Sequence, residues 1–469
     1  MNKTAYVIGS GPNGLTAGIQ LARAGLHVTV LEGQSTMGGG LRTLPLTLPG
    51  FLHDICSAAH PMAVSSPIFR ELPLQDHGLR WIHARAPLAH PFDDGTAAVL
   101  EQSLDSNSTR LGVDGPSWRR VVKPLVEQWD RLAGEIFRPL HFPAHPYLFS
   151  RFGVLAPWPA TWTSRSLFKT AAARALFAGV AAHAIMPLEH PFSSAIAWPL
   201  VIAAHAVGWP IAQGGSQSIA NALASYLQSL GGTIVLNSPV RSLDEFEPDS
   251  LILCDVTPRQ LLRIAGDRLP PSYRRRLEKY RYGPGVFKLD WALKTPIPWK
   301  SADCARAATV HLGGTLEEIA DSERAAWRGE LHDRPYVLLV QPSLFDTTRA
   351  PQGMHTAWAY CHVPHASTAD CCDRIEQQVE RFAPGFRSTV LARSKMTPGD
   401  LEQHNANLIG GDISGGQQGF PQLFARPTVS LYRTPVKQLY LCSSSTPPGA
   451  GIHGMCGYNA AHLALSERR

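Results

Sequence analysis

The sequence predicts an α/β protein in which a parallel-sheet lobe, discontinuous along the chain, is interleaved with an α+β lobe made of a mixed sheet and a helical cap. Three stretches carry the parallel-sheet prediction. Ala5 to Gly9 is a short apolar run ending in glycine, followed by helical periodicity from Asn13 to Ala24 and a second strand from His27 to Leu31, a β-α-β unit. After Gly214 a helix with Ile219, Leu223, Tyr226, Leu227 and Leu230 at helical spacing stops at Gly231 and Gly232, then leads into strands Thr233 to Leu236 and Ser250 to Cys254. The last block is a strand from Gln438 to Cys442, a glycine-rich turn, and a helix ending near Leu465.

The middle of the chain reads differently. From about Trp81 to Pro210, proline, tryptophan and histidine alternate with helical stretches such as the alanine-rich Thr170 to Ile185, and from Val286 to His365 short strands are separated by Pro and Gly. A chain of 469 residues exceeds what one core usually organises, so two threaded lobes are expected: 1–80, 205–260 and 405–469 in the first, 81–204 and 261–404 in the second.

Composition narrows the function. Apolar residues make up 44% and charged ones 17%, a low charge content that points to an apolar cavity or contact face. The net charge of +6 comes without a Lys/Arg run interleaved with aromatics, so no nucleic-acid partner is expected. The eight cysteines show no C-x-x-C spacing, which argues for reduced thiols and against a structural metal. The chain enters its first strand within four residues of Met1, leaving no signal-peptide pattern, and a cytoplasmic protein is expected. From His190 to Val240 there is no Asp, Glu, Lys or Arg; within this stretch Ala195 to Ala212 approaches the length of a membrane span, but Pro199, Gly208 and Pro210 interrupt it. A lining for an apolar substrate, or a peripheral membrane contact through Leu200 and Ile202, is the expectation.

The strongest motif is Gly9-Ser-Gly11-Pro12-Asn13-Gly14, a G-x-G-x-x-G at the junction of strand and helix. Gly9 permits the tight turn, Gly11 lets a pyrophosphate approach the backbone, and Gly14 lets helix and strand pack closely, while the helix N-terminus offers oriented N–H groups. Glu32 follows at the end of the second strand, where a carboxylate can accept hydrogen bonds from ribose hydroxyls. Together these define a Rossmann-type dinucleotide site. Gly38, Gly39 and Gly40, followed by Leu41, Arg42 and Thr43, then bring a second backbone segment to the same pyrophosphate, with Arg42 placed to offset its charge; this favours FAD over NAD.

With these motifs the sequence resembles the flavin amine oxidase and phytoene desaturase superfamily, in which the acid is followed by G-G-R-x-x-T or a close variant. Gly40 departs from that pattern, since many members carry arginine there. The C-terminal segment from Leu439 to Gly454, with Pro448-Gly449-Ala450-Gly451-Ile452-His453-Gly454, is similar to the turn that caps the flavin in phytoene desaturases. The resemblance implies FAD as cofactor, backbone of Gly451, Ile452 and His453 at the flavin ring, and Val240 at the adenine. Ser444 stands where amine oxidases place a glutamate, which moves the resemblance toward the desaturases. The resulting cofactor set is Gly9, Gly11, Pro12, Asn13, Gly14, Glu32, Gly39, Gly40, Leu41, Arg42, Val240, Ser444, Gly451, Ile452 and His453, with no metal.

The segment Phe51 to Pro61 aligns with the one that passes the isoalloxazine in this superfamily, and contains His53, Asp54, Cys56 and His60. His60 and His453 are the catalytic candidates for moving a proton beside a hydride transfer. The expected function is an FAD-dependent oxidoreductase transferring hydride between an apolar, isoprenoid or lipid, substrate and flavin N5, with oxygen or a quinone as electron acceptor. A flavin-binding protein of mainly structural or interaction role, a non-redox isomerase and an amine oxidase are the alternatives on the same scaffold.

Overall fold

The structure is a computed structural model that describes residues 3–419 and 422–468. A five-stranded sheet gathers three distant parts of the chain in the order Leu439–Leu441, Leu251–Cys254, Thr4–Ile8, His27–Leu31, Thr233–Val235, with every pair parallel. Its apolar strands are covered by the helix Pro12–Arg23, which packs between Gln217–Ser229 and the C-terminal helix Met455–Ser466. Two glycines set that packing distance. A Cβ at Gly18 would press on Leu227 and Val30 at 3.3 Å, and one at Gly457 would overlap the backbone of Asn13.

The second sheet is mixed and seven-stranded: Val390–Met396, Gly285–Leu293, His355–Val363, Val337–Val340, Ala307–Leu312, Ala86–Pro91, Ala97–Leu100. Only Ala307–Leu312 with Ala86–Pro91 is parallel among these pairings. One face carries Phe287, Leu289, Trp291, Val310, Leu339 and Ala359 and is covered by the helix Cys372–Phe382, forming a separate apolar core. The other face carries Lys288, Asp290, Thr309, His311, Leu338, Trp358 and Tyr360, because side chains alternate along each strand.

Facing that second side is a layer of helices that includes Gly115–Val126, Trp129–Ile136, Pro146–Leu155, Ala171–Ala181 and Ser193–Ala206. The alanine-rich helix is shorter than the sequence suggests. Thr170 caps it through its hydroxyl, and it gives way at Ala181 to a tight turn leading to Ile185, whose φ of +51° cannot continue a helix. The uncharged stretch is likewise resolved into separate pieces: the helix Ser193–Ala206, a break at Gly208 and the short strand Ile211–Ala212. Among the described residues no helix is long and apolar enough to cross a membrane. Ile202 is fully buried and Leu200 half-buried against the core, so the membrane contact expected through this pair is not available there.

Candidate functional site

The register of the parallel sheet builds the site. Ile8 lies beside both Leu31 and Cys254, Leu31 beside Val235, and Cys254 beside Leu441, so the strands end in one line. The residues that follow, Gly9, Glu32, Asp255 and Cys442, emerge together along the carboxyl edge, where doubly wound sheets bind ligands. Backbone bonds lock the line: Gly9 N–H to Leu31 at 2.8 Å, Asp255 N–H to Ile8 at 2.8 Å, Glu32 N–H to Val235 at 2.9 Å and Cys442 N–H to Cys254 at 2.9 Å.

At this edge opens a cavity of about 900 Å³. It is touched by Gly9, Gly11, Pro12, Asn13, Glu32, Gly39, Gly40, Arg42, His60, Val240, Ser444, Gly451, Ile452 and His453. Gly14 and Leu41 do not line it. Leu41 is fully buried in the core beneath, and Gly14 gives its N–H to Asp255 Oδ2 at 2.9 Å while its Cα sits so close to the Gly9 carbonyl that a Cβ would overlap the oxygen. Gly39, at φ +56°, crosses over Gly11, where a Cβ would come within 3.2 Å of the Gly11 Cα.

Glu32 accepts from the Ser10 N–H at 3.1 Å and the Ser10 hydroxyl at 2.5 Å on one oxygen, and from the Gln34 N–H at 3.0 Å on the other. Arg42 differs from its expected role. Its guanidinium is buried and already committed, to Glu32 at 3.3 Å, to the His404 carbonyl at 2.9 Å and to the Thr36 carbonyl at 3.1 Å, so it braces the acid rather than offering a free charge to an anion. Anion contacts at this loop therefore fall to backbone N–H groups.

Asp255 is a site residue that sequence reasoning missed. Burial, with Glu32 nearby, pushes its carboxyl up to about 7, against the pull of the Gly14 N–H. A usable signal was present: a lone acid directly after the apolar strand Leu251–Cys254. Arg426 was also missed. It is buried on the cavity wall and donates to the carbonyls of Ser414, Gly416 and Ser444, tying the glycine-rich loop before it to the C-terminal turn.

The segment Phe51 to Pro61 separates into fixed and available groups. Asp54 is held below the ordinary carboxylate range despite its burial, because Arg349, Thr43 and the Ser216 N–H all bind its ionised form. His53, pushed down to about 3 by burial and by Lys288 and Arg349, lies between Thr47 and Asp290 away from the cavity. Burial raises the Cys56 thiol to about 11. His60 does face the cavity; burial holds it down at about 4, its Nε2 meets Ser216 Oγ at 2.9 Å, and its Nδ1 is buried without a partner. His453 is likewise pushed down to about 4 by burial, and its Nδ1 is used to accept the Met455 N–H at 3.0 Å at the start of the C-terminal helix.

Beyond these groups the cavity becomes apolar, lined by Phe149, Phe152, Ile196 and Leu200 from the helices and by Leu338 and Val340 from the mixed sheet. Trp358 and Tyr360 complete that wall as nearly parallel neighbours, 5.8 Å between ring centroids and 19° between planes. This pairing of aromatic rings was invisible in the sequence.

The residues present fit an FAD. The glycine loop leaves no room for side chains, the Asn13 amide oxygen in that loop is buried without a partner, and a carboxylate stands at the second strand end. Fold and site define a flavin-dependent oxidoreductase with FAD as its cofactor, built on a Rossmann-type scaffold. Residues 7–72 match the NAD(P)-binding Rossmann-like domain family. The chain is 26% identical to pyridine nucleotide-disulfide oxidoreductase domain-containing protein 2 of Rattus norvegicus, over 99% of this chain and 93% of that one. It is 24% identical to a lycopene-forming phytoene desaturase of a Paracoccus species, over 97% and 95%. An oxidoreductase from Methanosarcina mazei shares the fold with a TM-score of 0.68 at 14% identity, covering 99% of this chain and all of the other.

Proposed function

We propose that the protein transfers hydride between an apolar substrate, isoprenoid or another lipid, and N5 of its flavin, with oxygen or a quinone taking the electrons. The single observation that carries this is the continuity of the cavity, from Glu32 and Val240 past Gly11 and Gly39 into a chamber walled by Phe149, Phe152, Leu200 and Leu338. Bound FAD supplies the hydride acceptor or donor. Gly9, Gly11, Pro12, Asn13, Gly39 and Gly40 would line the phosphates, with Gly14 and Leu41 shaping that loop from behind; Glu32 would hold a ribose, Val240 the adenine, and Ser444, Gly451, Ile452 and His453 the flavin end. The N-terminus of the helix Met455–Ser466, which follows directly on Gly451, Ile452 and His453, would stabilise negative charge on a reduced flavin held by those residues.

Between the two catalytic candidates the geometry favours His60. Its free Nδ1 can accept or return a proton, and burial keeps the ring neutral at working pH, whereas His453 already spends Nδ1 on the Met455 N–H. The apolar walls exclude water from the reacting carbon. The similarity to a phytoene desaturase supports an isoprenoid substrate.

Substrate access from a lipid surface belongs to the same proposal, through a different face from the one the sequence suggested. Leu140, Phe142, Tyr147, Val154, Trp158 and Trp162 are all exposed within one stretch, and Leu140, Phe149, Phe152 and Pro157 of that stretch line the cavity. Trp158 and Trp162 stack at 4.4 Å while remaining 45% and 49% exposed. Arg138, Arg151, Arg165 and Lys169 flank them, a pattern suited to an anionic membrane.

The test is spectroscopic. Purified holoprotein mixed anaerobically with a panel of isoprenoids and fatty alcohols should lose its visible flavin absorbance with at least one of them. If dithionite bleaches the flavin and the panel leaves it unchanged, the flavin has a structural role. Bleaching by amines with peroxide release would make the protein an amine oxidase.

A further inference from the structure

The cavity face of the mixed sheet carries more polarity than an apolar substrate needs. Thr309 is in register with Val340, and Val340 with Trp358, so these three side chains form one row across three adjacent strands. All three line the cavity. Thr309 and Trp358 are 1% and 2% exposed, yet Thr309 Oγ1 and Trp358 Nε1 have no hydrogen-bond partner among the described residues. On the opposite face of the same strands the neighbours Val310, Leu339 and Ala359 are wholly apolar. A tryptophan N–H and a threonine hydroxyl buried on the same wall leave two polar groups that a hydrocarbon could not satisfy.

We propose that the substrate carries a neutral oxygen, hydroxyl or carbonyl, on its apolar body, and that Thr309 and Trp358 are the residues that recognise it. The inference rests on the chamber being the substrate site and adds a substrate class to it. Thr309 can donate or accept and Trp358 only donates, so an alcohol or a carbonyl oxygen is a suitable partner for either group.

The surrounding charges argue against an ionic head group. Lys288, which lies against Trp358, is buried, paired with Asp290 and seated 5.0 Å from the centre of the Trp358 ring. A carboxylate on the row would meet no free positive charge, and an ammonium would be repelled from the ring face that Lys288 already holds. Two imidazoles near this wall, His183, which lines the cavity, and His311, on the same sheet face as Thr309, have their Nε2 atoms 3.2 Å apart, and burial keeps both neutral.

Matched ligands on one skeleton test this: geranylgeraniol, its aldehyde, its carboxylic acid and the corresponding hydrocarbon, titrated into FAD-loaded protein with tryptophan fluorescence and the flavin spectrum as readouts. The alcohol and aldehyde should bind at least ~10-fold more tightly than the hydrocarbon and the acid. In Thr309→Val combined with Trp358→Phe, which remove the two polar groups and leave both positions apolar, this preference should fall to near unity while hydrocarbon affinity and flavin content hold. Equal binding of alcohol and hydrocarbon, tightest binding of the acid, or an unchanged preference in the double variant overturns the proposal. Failure of all four ligands to bind overturns the chamber itself as the substrate site, a distinct result from loss of selectivity.

Discussion

At the glycine-loop end of the cavity the backbone comes to the surface at Gly9, Gly11 and Gly39, and the two charged side chains there, Glu32 and Arg42, are braced against each other at 3.3 Å. At the sheet end the contacts are made by side chains, Thr309, Leu338, Val340, Trp358 and Tyr360, standing on three strands brought together by register. A backbone cradle tolerates no added atoms but accepts most sequences around its glycines. A side-chain wall tolerates change in shape far better and loses specificity instead. The cofactor end is therefore suited to one constant ligand, and the sheet end to a substrate that differs between proteins of the same fold.

The sharpest way to break the contrast is at Lys288, which stands beside the sheet wall on the neighbouring strand, against the Trp358 ring. Lys288→Met leaves Asp290 buried beside it and should cost about 3–5 kcal/mol in urea unfolding, with most of that recovered by the Lys288→Met, Asp290→Leu pair. The single variant should lose less at pH 5 than at pH 8, because the Asp290 carboxyl, already pushed up to about 6 by burial, then escapes its charge by protonation. If the double variant is no better than the single one, the wall is held by packing rather than by the ion pair.

Gly14→Ala attacks the other end. The added methyl must displace the Gly9 carbonyl and approach Asp255 Cβ at 3.2 Å, so about 1–3 kcal/mol of stability and the bound flavin should be lost, as read from melting temperature and visible absorbance. Retention of full colour would show that the loop can yield, and the contrast with the sheet end would disappear.

Asp255 sharpens the comparison through pH. Its folded carboxyl titrates near 7 instead of 3.8, so the folded apoprotein holds this proton more tightly than the unfolded chain does. The stabilisation is complete below about 4 and is lost as pH rises toward 7. FAD affinity, measured by fluorescence titration, should weaken in the same direction because an ionised Asp255 adds negative charge at the phosphate loop. Asp255→Asn should flatten both profiles while keeping an acceptor for the Gly14 N–H, and an unchanged slope would place the titration elsewhere.

The smallest effect on folding is expected at the exposed aromatic face. Trp158→Ser with Trp162→Ser should alter stability by less than about 0.5 kcal/mol, since both rings are half in solvent, yet abolish co-sedimentation with anionic liposomes. Binding unchanged by this pair would remove the membrane from the functional proposal without touching the cavity.

Residue by residue, the two ends differ in how legible they were. Gly9, Gly11, Gly14 and Glu32 announced themselves because a strand, a turn with left-handed φ and a helix N-terminus follow one another within a few tens of residues, and each demands a particular residue type. Arg42 was legible as a charge near that loop, but its partners, Thr36 and the His404 carbonyl, were not, and they redirect it from the anion to the acid. The uncharged stretch after Glu189 was read correctly as apolar, while its place, with Ile202 in the core and Leu200 at the chamber, depended on helices packed over it.

What the sequence by itself determined is the cofactor half: the β-α-β unit, the glycine turns and the acid at the second strand end, all set by backbone conformation over neighbouring residues. Tertiary structure alone decided that Asp255 reaches Gly14 across 241 residues, and that Thr309, Val340 and Trp358 stand in one row. Alternation along a strand divides its residues into two faces but names neither face nor neighbour. Those follow from the order and register of strands far apart in the chain, which are fixed only when the whole sheet closes against its helices.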